Sequence, residues 1–149
     1  MISKYYGIAA LWIVLILALA TRAFLFVGIV GSDDAAVANQ ALRLLSEGWY
    51  VPHDHYSGRL GLIAPLAGIF AVFGVGDWQM ALIPLVSSML GIVLAYAIGN
   101  HYGDQRVGIM AAALLAVFPL DAYFASQLMP DLPLGALLAA AYFLLLRSE

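Results

Sequence analysis

From Met80 to Ile98 the chain runs about 19 residues without a charged side chain, which as helix at ~1.5 Å per residue comes close to the ~30 Å hydrocarbon thickness of a bilayer. Three further stretches are predominantly apolar: Gly7 to Val30 with the single charge Arg22, Val107 to Ala125 with the single charge Asp121, and Leu132 to Leu146, the last with Arg147 at its end, where a long side chain can snorkel to the headgroups. With 64% hydrophobic and only 10% charged residues, and a mean hydropathy of +0.97, 149 residues cannot hide this much apolar surface in one soluble core. The solvent for these stretches is lipid, and the expected fold is an all-α membrane protein with about four transmembrane helices. Pro84, Pro119 and Pro133 fall in or near the spans, where neighbouring helices can satisfy the carbonyls they free.

Zero cysteines exclude disulfides and thiolate metal sites. A net charge of -3 and a pI near 5.4 offer no basic footprint, so no nucleic acid partner is expected. A cleaved secretory signal competes for the first stretch, because Lys4 precedes an apolar run and Ala18-Leu19-Ala20 resembles a small-residue cleavage site. Against it, apolar character resumes after Thr21 and Arg22 and continues from Phe24 to Val30, which a cleaved signal does not need.

The segment Gly61 to Val75, with Pro65, Gly68 and Gly74, decides the topology. If it crosses, Lys4 alone among the six cations lies inside; if it rests at the outer interface, Lys4, Arg106 and Arg147 lie inside and Arg43 and Arg59 outside, in better agreement with the bias of cations toward cytoplasmic loops. The interfacial arrangement gathers Asp33, Asp34, Glu47, Asp54, Asp77, Asp121 and Asp131 on the outer side. Between the first span and this segment, Val37, Ala41, Leu44, Leu45 and Gly48 separate by face from Asn39, Gln40, Arg43, Ser46 and Glu47, the pattern of an amphipathic helix on the outer leaflet. Ser32, Asp33 or Asp34 can cap its start, and Gly48 with Trp49 and Tyr50 ends it at headgroup level. Two interfacial helices in the first outer loop are therefore expected.

An acid at the edge of hydrocarbon is a candidate functional group. Asp33 and Asp34 stand where a helix begins, so its unpaired amides and dipole favour the carboxylate, which can accept a proton or hold a divalent cation. Asp131, between Pro130 and Pro133, is the third candidate, with a simple helix-starting turn as its alternative. Arg59 is the best outer cation for a phosphate, or else a snorkelling anchor. Arg22, inside the first span, is expected to face protein and pair with an acid or a lipid phosphate, because an unpaired arginine in lipid is costly. His53-Asp54-His55 reads as a polar loop, adjacent residues rarely converging on one metal ion. Asp121 reads as a solvated or capping acid, with a further acid of the site as its alternative.

These residues together resemble a known family. Ser32-Asp33-Asp34, the amphipathic helix ending Leu44-Leu45-Ser46-Glu47-Gly48-Trp49-Tyr50-Val51-Pro52-His53, the segment Gly61 to Val75, the turn Gly99-Asn100-His101-Tyr102-Gly103-Asp104-Gln105-Arg106-Val107-Gly108, and Asp131-Leu132-Pro133 follow one another as in the polyprenyl-phosphate-dependent membrane glycosyltransferases of the GT-C fold, the protein mannosyltransferase and aminoarabinose transferase group. The resemblance implies that Asp33 or Asp34 is the catalytic base or acceptor-side group and that Asp131 assists, with a divalent metal ion in some branches of the family; Arg59 and Arg22 are the candidates for substrate contact because a lipid phosphate calls for positive groups. Where the family often has a tyrosine three residues beyond its second acid, this chain has Val37. The implied partners are membrane lipids, a polyprenyl-phosphate sugar donor and a lipid, glycan or protein acceptor. The implied place is the outer face of a prokaryotic plasma membrane. The chain reads as one transmembrane domain, the amino-terminal part of a larger module. A small non-enzymatic membrane protein, an assembly subunit or a cation- or proton-coupled transport component, is the alternative.

Overall fold

The structure is a computed structural model and describes residues 2–28 and 31–148. It contains seven α-helices: α1 Ile2–Phe24, α2 Ser32–Glu47, α3 Leu60–Phe73, α4 Asp77–Tyr102, α5 Gln105–Ala116, α6 Pro119–Phe124 and α7 Asp131–Ser148. Among the described residues there is no strand. Among the described residues three helices are long and apolar enough to cross a bilayer, over Tyr6–Phe24, Asp77–Tyr102 and Asp131–Ser148, and α3 and α5 are shorter apolar helices. The expected all-α membrane fold is what the sequence forms. The first helix ends at Phe24; of the remainder of the expected span, Ile29 and Val30 lie outside the described residues.

The axis of the molecule is α4, whose 26 residues amount to about 39 Å. It packs along both α5 and α7, and α1 packs on α5 and α4. Close approach of α4 and α5 depends on glycine: a Cβ on Gly99 would come within 3.0 Å of Gly108 Cα, and one on Gly108 within 2.7 Å of the Tyr96 carbonyl oxygen. Small residues at such a crossing bring backbones together where no hydrophobic drive operates between helices in lipid. The turn between the two helices is closed by Asp104, whose carboxylate accepts from the Arg106 and Val107 amides at 2.9 and 3.1 Å. Beyond it, the Tyr102 and Tyr142 hydroxyls meet across α4 and α7, so the carboxy-terminal ends of these two helices share one end of the bundle.

The stretch Val107 to Ala125, expected as one crossing, is two helices. Pro119 lacks an amide hydrogen and disfavours helical geometry at the preceding residue, and Phe118 is accordingly extended at φ -67°, ψ 118°. The break frees the Ala116 carbonyl, and Arg22 takes it: its Nη1 donates to Ala116 O and to Ala18 O, both at 3.0 Å. Its Nε donates to Ser88 Oγ at 2.7 Å, and its Nη2 is ion-paired with Asp121 Oδ1, which also accepts from Ser88. Arg22, Ser88 and Asp121 are all buried. Asp121, expected to be solvated or to cap, instead neutralises the arginine of α1 inside the protein. The reason is physical: a charge at this depth is tolerated only when paired and hydrogen-bonded.

Above this network the amino-terminal turns of α4 project, Ser88 lying about 16 Å along the helix from Asp77 at 1.5 Å per residue. There the second layer packs. Val37, Ala38 and Ala41 of α2, Leu62, Ile63, Leu66, Ala67 and Phe70 of α3, Met80 of α4 and Leu128 form one buried cluster. The part of α4 in this cluster is its first two turns, through Met80 and the half-buried Ile83. At 14 residues, or about 21 Å, α3 is too short to span hydrocarbon, and it lies on α2. Gly74, at φ 79°, ends it.

Removing one partner of the Arg22–Asp121 pair leaves a buried charge uncompensated, at a cost of about 3–5 kcal/mol. Asp121→Leu is expected to lower the thermal midpoint of the detergent-solubilised protein sharply, and adding Arg22→Met to restore most of the loss. Equal midpoints for Asp121→Leu and the unsubstituted protein would contradict this role.

Candidate functional site at the amino-terminal end of the long central helix

Asp33 and Asp34 occupy the first turn of α2, whose N-cap is Gly31 with extended backbone at φ -113°, ψ 155°. The N-cap expected at Ser32, Asp33 or Asp34 thus falls at Gly31, and both acids lie within the first turn, where the helix dipole favours negative charge. Their surroundings differ. Asp34 is buried at 1% exposure, close to Gly31. Asp33 is half-buried, and its Oδ1 accepts a hydrogen bond of 2.8 Å from the Tyr56 hydroxyl.

Tyr56 reaches Asp33 because the loop before it folds on itself. Asp54 Oδ1 accepts from the amides of Tyr56 and Ser57 at 2.8 and 2.7 Å, while Ser57 Oγ accepts from the amides of His53 and Asp54 at 2.9 and 3.0 Å and donates to Asp54 O at 3.1 Å. An aspartate and a serine three apart thus replace regular secondary structure as the partners of this backbone. The Ser57 amide above all, with desolvation opposing it, holds the Asp54 carboxyl below its ordinary value. That contribution to stability is present above the ordinary carboxyl range and lost as pH falls through the lowered value. His53 and His55 flank this turn, and their expected reading as a polar loop fits its geometry. Among the described residues no group of three or more His, Cys, Asp or Glu could hold a metal ion.

Arg59 follows within one turn. Its guanidinium lies over the Tyr56 ring, 5.1 Å from the centroid, a cation–π contact. Its Nη1 is buried with no hydrogen-bond partner among the described residues. A buried, unmatched donor of this kind is rare in proteins and calls for an explanation. Arg22, by contrast, has protein partners at all three nitrogens through the network described above.

Asp131 is exposed in the first turn of α7. Three residues before it, Leu128 is buried against the α2–α3 layer, so the loop that carries Asp131 is anchored to the layer that carries Asp33. At the same end, Gly28 turns the chain at φ 72° beside Asp77, and Phe26 stacks on Trp78 with ring centroids 3.9 Å apart. The structure thus brings Asp33, Tyr56 and Arg59 into one constellation, with Asp34 beneath it. Tyr56 was not among the residues singled out from sequence. The signal that could have found it is Asp54-His55-Tyr56-Ser57, an Asp/Ser turn immediately before the only cation of the loop.

An all-helical membrane protein with carboxylates and an unmatched arginine gathered at one end has the makings of an enzyme acting at a membrane surface. The family described as dolichyl-phosphate-mannose-protein mannosyltransferase matches residues 63–149, more than half of the chain. The protein belongs to this family of GT-C membrane glycosyltransferases. No curated protein and no solved structure matches it.

The Asp33 carboxylate, first as hydrogen-bond acceptor and then through its charge, raises the Tyr56 phenol above its ordinary value. The Tyr56–Asp33 bond is therefore intact below the ordinary tyrosine pKa and is lost as pH rises through the raised one. In ¹³C-tyrosine NMR spectra assigned with Tyr56→Phe, Asp33→Asn is expected to move the Tyr56 titration to lower pH. An unchanged titration would contradict the contact.

Proposed function

We propose that the protein transfers a sugar from a polyprenyl-phosphate donor to an acceptor at the outer face of the membrane, with Asp33 as general base, Arg59 as the cation for the donor phosphate and Asp131 assisting. The observation that carries this reading is the constellation of a reachable carboxylate and an unmatched buried arginine donor on either side of Tyr56. Membership of the mannosyltransferase family supports transfer chemistry over a non-enzymatic role.

A sugar joined to a lipid phosphate already carries a good leaving group. What the enzyme adds is a base for the acceptor hydroxyl and positive charge for the departing phosphate. Asp33 takes the proton as the acceptor oxygen attacks the anomeric carbon; the bond from that carbon to the phosphate oxygen breaks, and its electron pair leaves with the polyprenyl phosphate. Arg59 meets the charge that develops there, with the Nη1 hydrogen that lacks a protein partner available to a phosphate oxygen. Asp33 Oδ1 is the oxygen that accepts from Tyr56, so Oδ2 is assigned to the acceptor proton, whereas the burial of Asp34 favours a supporting role. Asp131, exposed at the start of α7, approaches from the bundle side. Each span exposes apolar side chains, such as Trp12 and Ile16 of α1 and Leu137 and Leu144 of α7, in keeping with membrane lipids as the surroundings. Arg22 contributes by holding the bundle under the site, its direct contact with substrate requiring release from Asp121.

Sugar transfer from a radiolabelled polyprenyl-phosphate donor, measured with the full-length protein in vesicles, tests the roles one by one. Asp33→Asn is expected to lower kcat by about 10²- to 10⁴-fold, the range for a general base, and Arg59→Ala to raise the donor KM. Wild-type rates in Asp33→Asn would overturn the proposal, and wild-type rates in Asp131→Asn alone would remove only the assisting role of Asp131.

A further inference from the structure

Nothing in the base-and-cation reading requires Tyr56, yet it is the one side chain that touches both groups. Its hydroxyl donates to Asp33 Oδ1 at 2.8 Å, and its ring lies under the Arg59 guanidinium at 5.1 Å. It does so from a loop whose backbone is fixed by Asp54 and by the buried Ser57, and it packs against the α2–α3 cluster. The tilted ring of His55 covers it, with centroids 3.8 Å apart.

We infer that Tyr56 is the positioning residue of this site: its hydroxyl orients the Asp33 carboxylate and its ring seats Arg59, so that one side chain sets the spacing between the group serving the acceptor and the group serving the donor phosphate. The inference rests on the roles proposed above for Asp33 and Arg59. Three features carry it. The hydroxyl occupies one oxygen of Asp33 and so fixes which oxygen faces the acceptor. A guanidinium held over an aromatic face keeps its edge hydrogens free for an anion, unlike one held by a carboxylate. Finally, a phenol is protonated through neutral pH, and the Asp33 carboxylate shifts it further in that direction, so the contact persists over the working range.

The two contacts separate by substitution. Tyr56→Phe keeps the ring and removes the hydroxyl. With orientation of the base impaired in the transition state, kcat is expected to fall roughly tenfold or more, the size of effect for a hydrogen bond to a charged group, while the donor KM stays within about twofold. Tyr56→Leu removes the ring as well and is expected to lose kcat to a similar degree and to raise the donor KM about tenfold; if that variant does not accumulate, Tyr56→Met, a flexible apolar filler, takes its place. A side chain that only supported the fold would move neither constant selectively. Wild-type kcat and KM in Tyr56→Phe, or a raised KM at unchanged kcat, would overturn the inference while leaving the proposed function standing, provided that Asp33→Asn abolishes transfer in the same preparation. Wild-type transfer in Asp33→Asn would instead remove the proposed function itself.

Discussion

A single arginine inside the membrane region sets the terms for the rest of this structure. Arg22 cannot remain unpaired among lipid chains, and the protein answers by bringing three other helices to it: Ser88 from α4, the freed carbonyl of Ala116 at the end of α5, and Asp121 from α6. Each of those partners exists because of something else in the sequence. Pro119 breaks the helix and releases the carbonyl; the break also re-aims the following turn, so that Asp121 reaches Arg22. A polar network of this sort is favourable only when every member is satisfied, and satisfying it fixes α1, α4 and the α5–α6 break relative to one another. The loop from Ala125 to Pro130 leaves directly from this fixed point, and it carries Leu128 into the upper layer and Asp131 to the head of α7.

The upper layer has a different logic. Helices α2 and α3 are held by ordinary apolar burial, with Ile63, Leu66 and Val37 fully enclosed, against the projecting turns of α4. The lower bundle uses small residues and one saturated charge network, whereas the upper layer leaves polar atoms unmatched: Arg59 Nη1, Gln40 Oε1 and Tyr50 Oη are buried without hydrogen-bond partners among the described residues. Strain of that kind is tolerated where a site needs it. Under the proposed function, the contrast between the satisfied Arg22 and Arg59, whose Nη1 lacks a hydrogen-bond partner among the described residues, corresponds to a division between an arginine that holds the bundle and one proposed for the donor phosphate.

Much of this architecture could be read from the chain. Uninterrupted apolar runs identified α1, α4 and α7, and face-separated polarity identified α2 together with its end at Gly48. The balance of cations on either side of Gly61 to Val75 favoured a segment resting at the interface, and the helix found there, α3, has 14 residues. Local patterns could not give the partners. Arg22 and Asp121 lie 99 positions apart, and no periodicity links an arginine in one helix to an acid in another, so Asp121 read as solvated. The break at Phe118 was masked by the apolar run around it, although Pro119 was in plain view; prolines are common enough within membrane helices that composition alone does not say which one interrupts. Tyr56 escaped for a related reason: its role comes from a turn that points the ring at a helix 23 residues earlier, a tertiary fact.

The central claim is that the α2–α3 layer and the loop before α7 face one aqueous compartment, with the α4–α5 turn facing the other. Because the 149 residues contain no cysteine, single cysteines can be introduced at exposed Trp49, at Met129 and at exposed His101 and probed in intact cells with a membrane-impermeant maleimide. Trp49→Cys and Met129→Cys are expected to react without permeabilisation, and His101→Cys only after it. Labelling of Trp49→Cys and Met129→Cys from opposite sides of the membrane would contradict the account.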